Sequence, residues 1–217
     1  MRPAYKQISN TIHNDTKLMR RILKQFETGE KRQWPVYLKE LANFFQSSNF
    51  TRMLNGKQTN IIDEITRLFS RILTTKLFPD IIEEMIKCLS IFAESLGYYS
   101  RELYRLCRWL FELYDSDSIS DETRVVLLKS LAEIIKNTRK INNENIKFIV
   151  NKLNNAIEFS ESVETLLLLA DVLLVCGKLY PNAVEPFFKD IMDAFIYWLF
   201  DFSNSLSMVE PLYDVML

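Results

Sequence analysis

Apolar residues recur every three to four positions along almost the whole chain, and no stretch alternates with the period of two that a strand requires. This pattern predicts an all-α fold. We expect helices over the ranges 15–27, 35–46, 59–75, 80–96, 101–114, 121–137, 144–158, 162–176, 186–201 and 206–216. Residues 1–14 are predicted to form a flexible amino-terminal segment.

Glycine, proline and serine punctuate this pattern. All four glycines lie at or just after predicted carboxyl ends, where a left-handed residue commonly closes a helix: Gly29, Gly56, Gly97 and Gly177. Three prolines lie at or beside predicted first turns, where a missing N–H costs little: Pro35, Pro79 and Pro186. Three serines are candidate N-caps: Ser100, Ser120 and Ser162.

The spacing of the helices predicts a repeat architecture. Helices of about 12–18 residues joined by short turns give a helix-pair period of roughly 40–47 residues, which is typical of HEAT and armadillo arrays. We expect about five such pairs over residues 15–217. The sharper signatures of tetratricopeptide and ankyrin repeats are absent, and a four-helix bundle would need fewer, longer helices. Apolar residues still recur from Met208 to Leu217, so we expect the array to continue beyond this chain.

Composition and cysteine usage predict a soluble intracellular protein, in the cytoplasm or the nucleus. The apolar stretch from Val163 to Val175 is shorter than the roughly 18 residues that a membrane span needs. The first residues lack the apolar core of a secretory signal. Three widely separated cysteines, each within an apolar helical pattern, predict buried reduced thiols: Cys88, Cys107 and Cys176.

The sequence contains no recognisable catalytic, metal-binding or phosphate-binding motif. The single histidine, His13, has no metal-ligating residue at a suitable spacing, and the glycines are too far apart to form a phosphate-binding loop. Glu83 and Glu84 are expected on an exposed helix face without a nucleophile. The tryptophans Trp34, Trp109 and Trp198 are expected to pack in the core. We therefore predict no catalytic site, cofactor, metal or small-molecule substrate.

A basic face on the first predicted helix is a candidate binding surface. Lys17, Arg20, Arg21 and Lys24 have i, i+3, i+4, i+7 spacing, and the opposite face is apolar: Leu18, Met19, Ile22, Leu23 and Phe26. The face is either simply solvated or contacts RNA phosphates or an acidic protein. Because no aromatic residues are interleaved with the cations, binding to RNA is expected to be weak.

An acidic stripe is predicted on the helix that begins near Pro186. One face of this helix is apolar: Phe188, Ile191, Met192, Phe195, Trp198 and Leu199. The other face carries three aspartates around a tyrosine: Asp190, Asp193, Tyr197 and Asp201. We expect Asp190 and Asp193 to brace a neighbouring repeat, in which case their loss would destabilise the fold by about 1–3 kcal/mol each. We expect Tyr197 to contact a partner.

This helix also carries a family resemblance. Tyr180 and Pro181 precede the segment 188–201, which is similar to the amino-terminal HEAT region of the Smg-one kinases, phosphatidylinositol-3-kinase-related kinases of nonsense-mediated mRNA decay. The matching residues are Phe188, Asp190, Asp193, Trp198 and Asp201. Tyr197 stands where that family usually has glycine. Weaker similarity extends back to about Arg32.

The resemblance implies that the chain belongs to the non-catalytic end of a much longer serine/threonine kinase. In that family this end of the solenoid helps to dock regulatory subunits, one of which has a GTPase-like domain. The family's kinase motifs lie far towards the carboxyl terminus and have no counterpart here. Two other hypotheses remain open at this point: a free-standing adaptor that binds peptides in a concave groove, and an RNA-binding repeat protein.

Overall fold

The computed structural model describes residues 2–55, 60–75, 77–97, 100–138, 141–158 and 162–201, and every regular element in this part of the chain is helical. The α-helices are α1 Arg2–Thr28, α2 Trp34–Gln46, α3 Ser48–Asn55, α4 Asn60–Leu73, α5 Pro79–Leu96, α6 Ser100–Tyr114, α7 Asp121–Asn137, α8 Asn143–Glu158, α9 Val163–Leu179, α10 Pro181–Val184 and α11 Phe188–Asp201. Short 3-10 turns, Lys31–Gln33 and Glu185–Phe187, precede α2 and α11. The predicted helix at 206–216 and Gly56 lie outside the described residues.

The helices alternate between two rows. Row A contains α1, α4, α6, α8 and α11, and row B contains α2, α5, α7 and α9. Successive helices of each row are neighbours, and the two rows pack on each other as layers. Four helix pairs result, and α11 begins a fifth. This arrangement confirms the predicted HEAT-like α-solenoid, in which each repeat buries its apolar face against the next.

Contacts between neighbouring helices of a row show the repeat period directly. The side chains of Arg20 and Glu64 meet across α1 and α4 at a separation of 44 residues. Trp198 meets the backbone of Ile157 across α11 and α8 at a separation of 41 residues. Other contacts of this kind join residues that are 37 to 47 positions apart. The predicted period of 40–47 residues is therefore close to the observed one.

An aromatic cluster joins the first repeats. The ring of Phe92 on α5 lies 4.6 Å from Phe45 of α2 and 6.0 Å from both Phe50 of α3 and Phe69 of α4. All four side chains are buried. Burial of one such side chain contributes about 1.5–3 kcal/mol, so the cluster holds four helices together. The helix α3, which is too short to show periodicity in the sequence, supplies one of these rings.

The two rows differ in how closely their helices approach. Neighbouring helices of row B pack along most of their length, whereas neighbouring helices of row A approach each other at fewer points. A two-layered array in which one layer is tighter must curve towards that layer. Row B therefore lies on the concave side, and gaps open between the helices of row A.

Two predicted N-caps are confirmed. Ser120 accepts a hydrogen bond of 3.3 Å from the backbone N–H of Thr123, and Ser162 accepts one of 3.5 Å from the N–H of Thr165. Each bond satisfies one of the four N–H groups that a helix start leaves without an internal partner. The side chain of Ser100 lies outside the described part. Pro35 and Pro79 occupy first turns as expected, but Pro186 lies in the 3-10 turn that precedes α11.

Gly29 and Gly97 lie at helix ends as predicted, but the left-handed conformation predicted for such glycines is wrong. None of the three described glycines has a positive φ, and Gly97 closes α5 in the right-handed helical region with φ −56°. Gly177 lies inside α9, which continues to Leu179. Gly29 has a different reason to be glycine: a Cβ there would lie 2.5 Å from the hydroxyl oxygen of Tyr37. Close packing, rather than backbone conformation, excludes a side chain at this position.

The first helix begins earlier in the chain than predicted. α1 begins at Arg2, whereas the sequence predicts a start near residue 15 and a flexible segment before it. Once the turns around the buried Met19 are formed, each upstream residue can add one helical hydrogen bond without a new nucleation step. The side chain of His13 lies outside the described part.

Candidate functional site

The basic face of α1 is exposed as predicted. Lys17, Arg20, Arg21 and Lys24 are all exposed, while Met19 and Ile22 are buried beneath them. Leu18 departs from the prediction, because it is 39% exposed instead of lying in the core. The face is therefore broader than the sequence pattern indicates and combines cations with one apolar side chain.

Ion pairs connect this face to α4. Arg20 donates to Glu64 across a distance of 3.0 Å, and Arg71 donates to Glu27 at 3.4 Å. The hydrogen bond and the charge of Glu64 raise the pKa of Arg20. These pairs are exposed, so each contributes at most about 1 kcal/mol to stability. Because Arg20 and Arg71 are paired in this way, they are less available to a ligand than unpaired cations would be.

A basic groove of about 720 Å³ lies between α1 and α4, and it is lined by Arg20, Leu23, Lys24, Glu27, Glu64, Arg67, Leu68 and Arg71. Four cations and two carboxylates line it, which leaves an excess of positive charge. Lys24 and Arg67 are exposed and have no ion pair within the described part of the chain. No aromatic residue of the described part of the chain lines this groove. It suits an acidic protein segment better than an unpaired nucleic-acid base, which needs a ring for stacking.

Ion pairs continue along row A beyond the basic groove. Arg105 of α6 lies 2.5 Å from Asp63 of α4, and Lys152 of α8 lies 3.3 Å from Asp115, just after α6. Each of the first three junctions of the row thus has at least one ion pair between a cation and a carboxylate from a different repeat. We call this series the ion-pair ladder.

The last junction of row A has a different composition. A groove of about 620 Å³ lies between α8 and α11, and it is lined by Asn151, Asn154, Asn155, Asp190, Asp193, Ala194, Tyr197 and Trp198. We call it the carboxylate–amide groove. Among the described residues, two carboxylates and three amides line it, and no lysine or arginine does. The basic face and the acidic stripe that the sequence predicts therefore lie on the same row of helices.

The bracing role predicted for the two aspartates is not supported. Asp190 and Asp193 are exposed, and neither has a hydrogen bond or an ion pair with any other described residue. Asp190 lies in the first turn of α11, where a negative charge interacts favourably with the helix dipole. The two carboxylates line the groove opposite α8 without bonding to any described residue of that helix.

Trp198 makes the contact that the aspartates were expected to make. Its ring is half-buried, and its Nε1–H donates to the carbonyl oxygen of Ile157 at 3.2 Å. Tyr197 is 63% exposed, and its ring lies 6.3 Å from that of Trp198 in an edge-to-face arrangement. Tyr197 thus presents an aromatic surface at the mouth of the groove.

Phe188 does not lie in the core. It is 59% exposed, whereas the adjacent Phe187 packs against the core. The reason is the 3-10 turn Glu185–Phe187, which shifts the start of α11 to residue 188 and changes which phenylalanine points inward. The side chain of Asp201, the last residue of the resemblance, lies outside the described part.

Asn154 is a site residue that the sequence analysis missed. Its side chain is 7% exposed, and its amide oxygen has no hydrogen-bond partner among the described residues. Asn151, Asn154 and Asn155 have i, i+3, i+4 spacing, which places all three on one helix face. The spacing of the three asparagines is visible in the sequence, but the sequence alone does not show which helix lies opposite them.

The thiols are placed to be chemically inert. Cys88, Cys107 and Cys176 are free and buried, which confirms the prediction. Burial raises the pKa of Cys107 and of Cys176 to about 12 and raises that of Cys88 as well. Because the thiolate is the reactive form, none of the three is a nucleophile near neutral pH.

The described residues contain neither a metal-binding cluster nor a membrane-spanning helix. No three His, Cys, Asp or Glu side chains among them converge in a way that could hold a metal ion. None of the helices in the described part is both long enough and apolar enough to cross a membrane.

Comparison with known proteins gives a distant similarity. No protein-family model matches the chain. It is 21% identical over 175 residues to the serine/threonine-protein kinase SMG1 of the zebrafish Danio rerio. The aligned region covers 80% of this chain but only 5% of the kinase. The chain is therefore similar to a small part of a large kinase.

Proposed function

We propose that this chain is a non-catalytic helical-repeat scaffold of a serine/threonine kinase of nonsense-mediated mRNA decay, and that it binds regulatory protein subunits of that kinase. The observation that carries the proposal is the similarity to SMG1, which runs through most of the array although it covers so little of the kinase. An all-helical array is a surface for binding other proteins, because its repeats contact only their neighbours and leave long faces exposed.

Row A is the surface that we assign to docking. Its helices are further apart than those of row B, and grooves of about 720 and 620 Å³ lie at its two ends. One groove has an excess of positive charge and the other an excess of negative charge. A partner that spans both must present charges in the complementary order, which sets its orientation along the array.

The basic groove argues for protein rather than RNA as the ligand. Two of its four cations are already engaged by Glu27 and Glu64, and none of the described residues that line the groove has a ring that could stack on a base. Lys24 and Arg67 remain to pair with carboxylates of a partner. A peptide-binding adaptor would be expected to use the concave row B instead of row A. The scaffold and adaptor hypotheses therefore predict that substitutions on different rows weaken binding.

A binding experiment with charge-reversal variants tests the proposal. The chain is purified, and its affinity for the regulatory subunits of the decay kinase from the same organism is measured by biolayer interferometry. We expect the double variant Lys24→Glu/Arg67→Glu to bind at least tenfold more weakly, because two attractive contacts become repulsive. The control is Lys129→Glu, an exposed lysine on the row-B helix α7, which should change the affinity less than twofold.

The outcomes separate the hypotheses. No binding of the unmodified chain to these subunits would refute the proposal. Lys129→Glu changes the net charge by half as much as the row-A variant, so a loss of binding free energy about half as large would show that overall charge, and not the basic groove, governs binding. Loss in Lys129→Glu alone would favour an adaptor that uses row B.

A further inference from the structure

The ion-pair ladder of row A ends one junction early. The junctions from α1 to α8 each contain at least one cation opposite a carboxylate: Arg20 with Glu64, Arg105 with Asp63 and Lys152 with Asp115. At the junction of α8 with α11 the carboxylates are present on α11, but α8 presents asparagines opposite them. Two negative charges are thus gathered in a groove without a cation from this chain among the residues described.

A buried acceptor in the same groove also lacks its donor. The amide oxygen of Asn154 is buried and has no hydrogen-bond partner within the described residues. Buried polar atoms in folded proteins are nearly always paired, and an exception calls for an explanation. A ligand that carries N–H donors would supply both the missing hydrogen bond and the missing positive charge. The carboxylates and the amide oxygen are independent observations that point to the same chemistry.

We infer that the carboxylate–amide groove binds an arginine side chain of a partner protein. The guanidinium has five N–H donors in a planar fork, which can engage carboxylates and an amide oxygen together. Its flat face can stack on an aromatic ring, and Tyr197, which is 63% exposed, offers such a ring at the mouth. The ammonium of lysine lacks the plane and the fork. This inference rests on the proposed function, and it names the chemistry of the partner at one end of row A.

The segment that directly follows α11 does not supply the arginine. The sixteen residues after Asp201 contain neither lysine nor arginine, so the segment that directly follows α11 cannot supply the cation. The groove measures about 620 Å³, which exceeds one side chain and accommodates the flanking residues of a protein segment. The negative charge also repels nucleic-acid phosphates, so a protein is the partner that fits.

A small probe can test the site without the partner. N-acetyl-arginine amide is titrated into the full ¹⁵N-labelled chain, and the side-chain amide signal of Asn154 and the indole signal of Trp198 are followed by NMR. The matched probe is N-acetyl-citrulline amide, which has nearly the same shape but no charge. We expect arginine to shift both signals in a saturable manner, with citrulline binding at least tenfold more weakly. Equal responses to the two probes would overturn the inference.

Variants of the two aspartates test whether the arginine probe binds in the carboxylate–amide groove. Asp190→Asn/Asp193→Asn keeps the size of the side chains and removes both charges, and we expect it to weaken arginine binding at least tenfold. The control Asp80→Asn changes an exposed aspartate in the first turn of α5, as Asp190 is in the first turn of α11, and it should leave binding within twofold. Unchanged binding in the double variant would exclude the groove as the site.

A third variant tests the buried amide. Asn154→Leu removes the unpaired oxygen at similar volume, and we expect it to weaken arginine binding several-fold while the thermal midpoint is retained or raised. If this variant does not fold, the Asp190→Asn/Asp193→Asn result decides, because those side chains are exposed. Unchanged arginine binding in a folded Asn154→Leu chain would remove the amide from the site.

Further measurements test which protein supplies the arginine. Self-association in sedimentation velocity that disappears in Asp190→Asn/Asp193→Asn would mean that the basic end of a second copy fills the groove, and the inferred partner would be wrong. If the chain binds the regulatory subunits but the arginine probe has no effect, the scaffold function stands and the arginine site fails. If the probe binds and the subunits do not, the scaffold proposal fails instead.

Discussion

The indole Nε1–H of Trp198 donates a hydrogen bond of 3.2 Å to the carbonyl oxygen of Ile157, a residue of the preceding row-A helix. Ile157 is the penultimate residue of α8, and the last four carbonyl groups of a helix have no partner within it. Trp198 therefore caps α8 from the next repeat. Trp109 makes a similar contact two repeats earlier, where its indole N–H donates to the hydroxyl of Ser70 at 2.9 Å.

We expect Trp198→Phe to lower the free energy of unfolding by about 1–2 kcal/mol, because the ring remains but the carbonyl of Ile157 loses its donor. Urea denaturation followed by circular dichroism measures the change. Tyr197→Phe alters the neighbouring, exposed ring and should stay within about 0.5 kcal/mol. If Trp198→Phe also falls within that range, the cap does not stabilise the array.

Gly29→Ala is expected to lower the free energy of unfolding by about 1–3 kcal/mol. The added Cβ would lie 2.5 Å from the hydroxyl oxygen of Tyr37 and 2.7 Å from the carbonyl oxygen of Gln25, and the backbone atom cannot simply rotate away. Thermal and urea melts measure the effect. Tyr37→Phe in the Gly29→Ala background should recover part of the loss, and no recovery would mean that the backbone contact dominates.

Gly177→Ala is expected to have the opposite effect. The residue lies within α9, and a Cβ there would meet no atom of the described residues within 4 Å. Alanine in a helix interior is about 0.5–1 kcal/mol more favourable than glycine, so the free energy of unfolding should rise by that amount. The same denaturation experiments compare the two glycine variants, and a destabilised Gly177→Ala chain would contradict the described course of α9.

Local sequence rules predict the parts of this molecule that depend on neighbours along the chain. The helices, the N-caps at Ser120 and Ser162 and the burial of the cysteines follow from patterns within a few residues. The glycines show where such rules stop: Gly29 is required by a tyrosine hydroxyl that meets it through tertiary packing, and no left-handed turn is involved. Phe187 and Phe188 show the same limit, because a single 3-10 turn decides which of them packs inward.

The candidate site depends on contacts between repeats, which a pattern within one helix cannot show. The sequence indicates that Arg20 lies on an exposed basic face, but its partner Glu64 lies 44 residues away. It likewise indicates that Asp190 and Asp193 share a face, but not that asparagines of α8 lie opposite them. The sequence does not give the register between repeats, which decides how α8 aligns with α11. Without that register, the amide oxygen of Asn154 could not be recognised as a buried acceptor without a partner among the described residues.

The buried thiols predict a loss of stability at alkaline pH. The pKa of Cys107 and of Cys176 is raised from 9.0 to about 12 by burial, so the folded chain keeps protons that the unfolded chain releases above pH 9. Their stabilising contribution is complete below pH 9 and is lost between about pH 9 and 12, at up to about 1.4 kcal/mol per pH unit for each thiol. Urea melts at several pH values test this, and Cys107→Ala should have a shallower decline than the unmodified chain.

Single-stranded RNA is expected to bind weakly to the basic groove. Arg20 and Arg71 are held by carboxylates, which leaves Lys24 and Arg67 to neutralise about two phosphates. The logarithm of the binding constant should then fall with the logarithm of salt concentration with a slope of about −1.4. Fluorescence anisotropy over a salt series measures this slope. Sub-micromolar binding at physiological salt would contradict the preference for a protein partner.

The difference between the two rows gives the array directional elasticity. The tightly packed row B resists both stretching and compression, because any change in its length disturbs close-packed side chains. The junctions of row A are held partly by exposed ion pairs, which salt and ligands can weaken. A force applied along the array is therefore absorbed by bending about row B, which widens or narrows the grooves of row A together. A protein bound in one groove would change the curvature and, through it, the width of the groove at the other end.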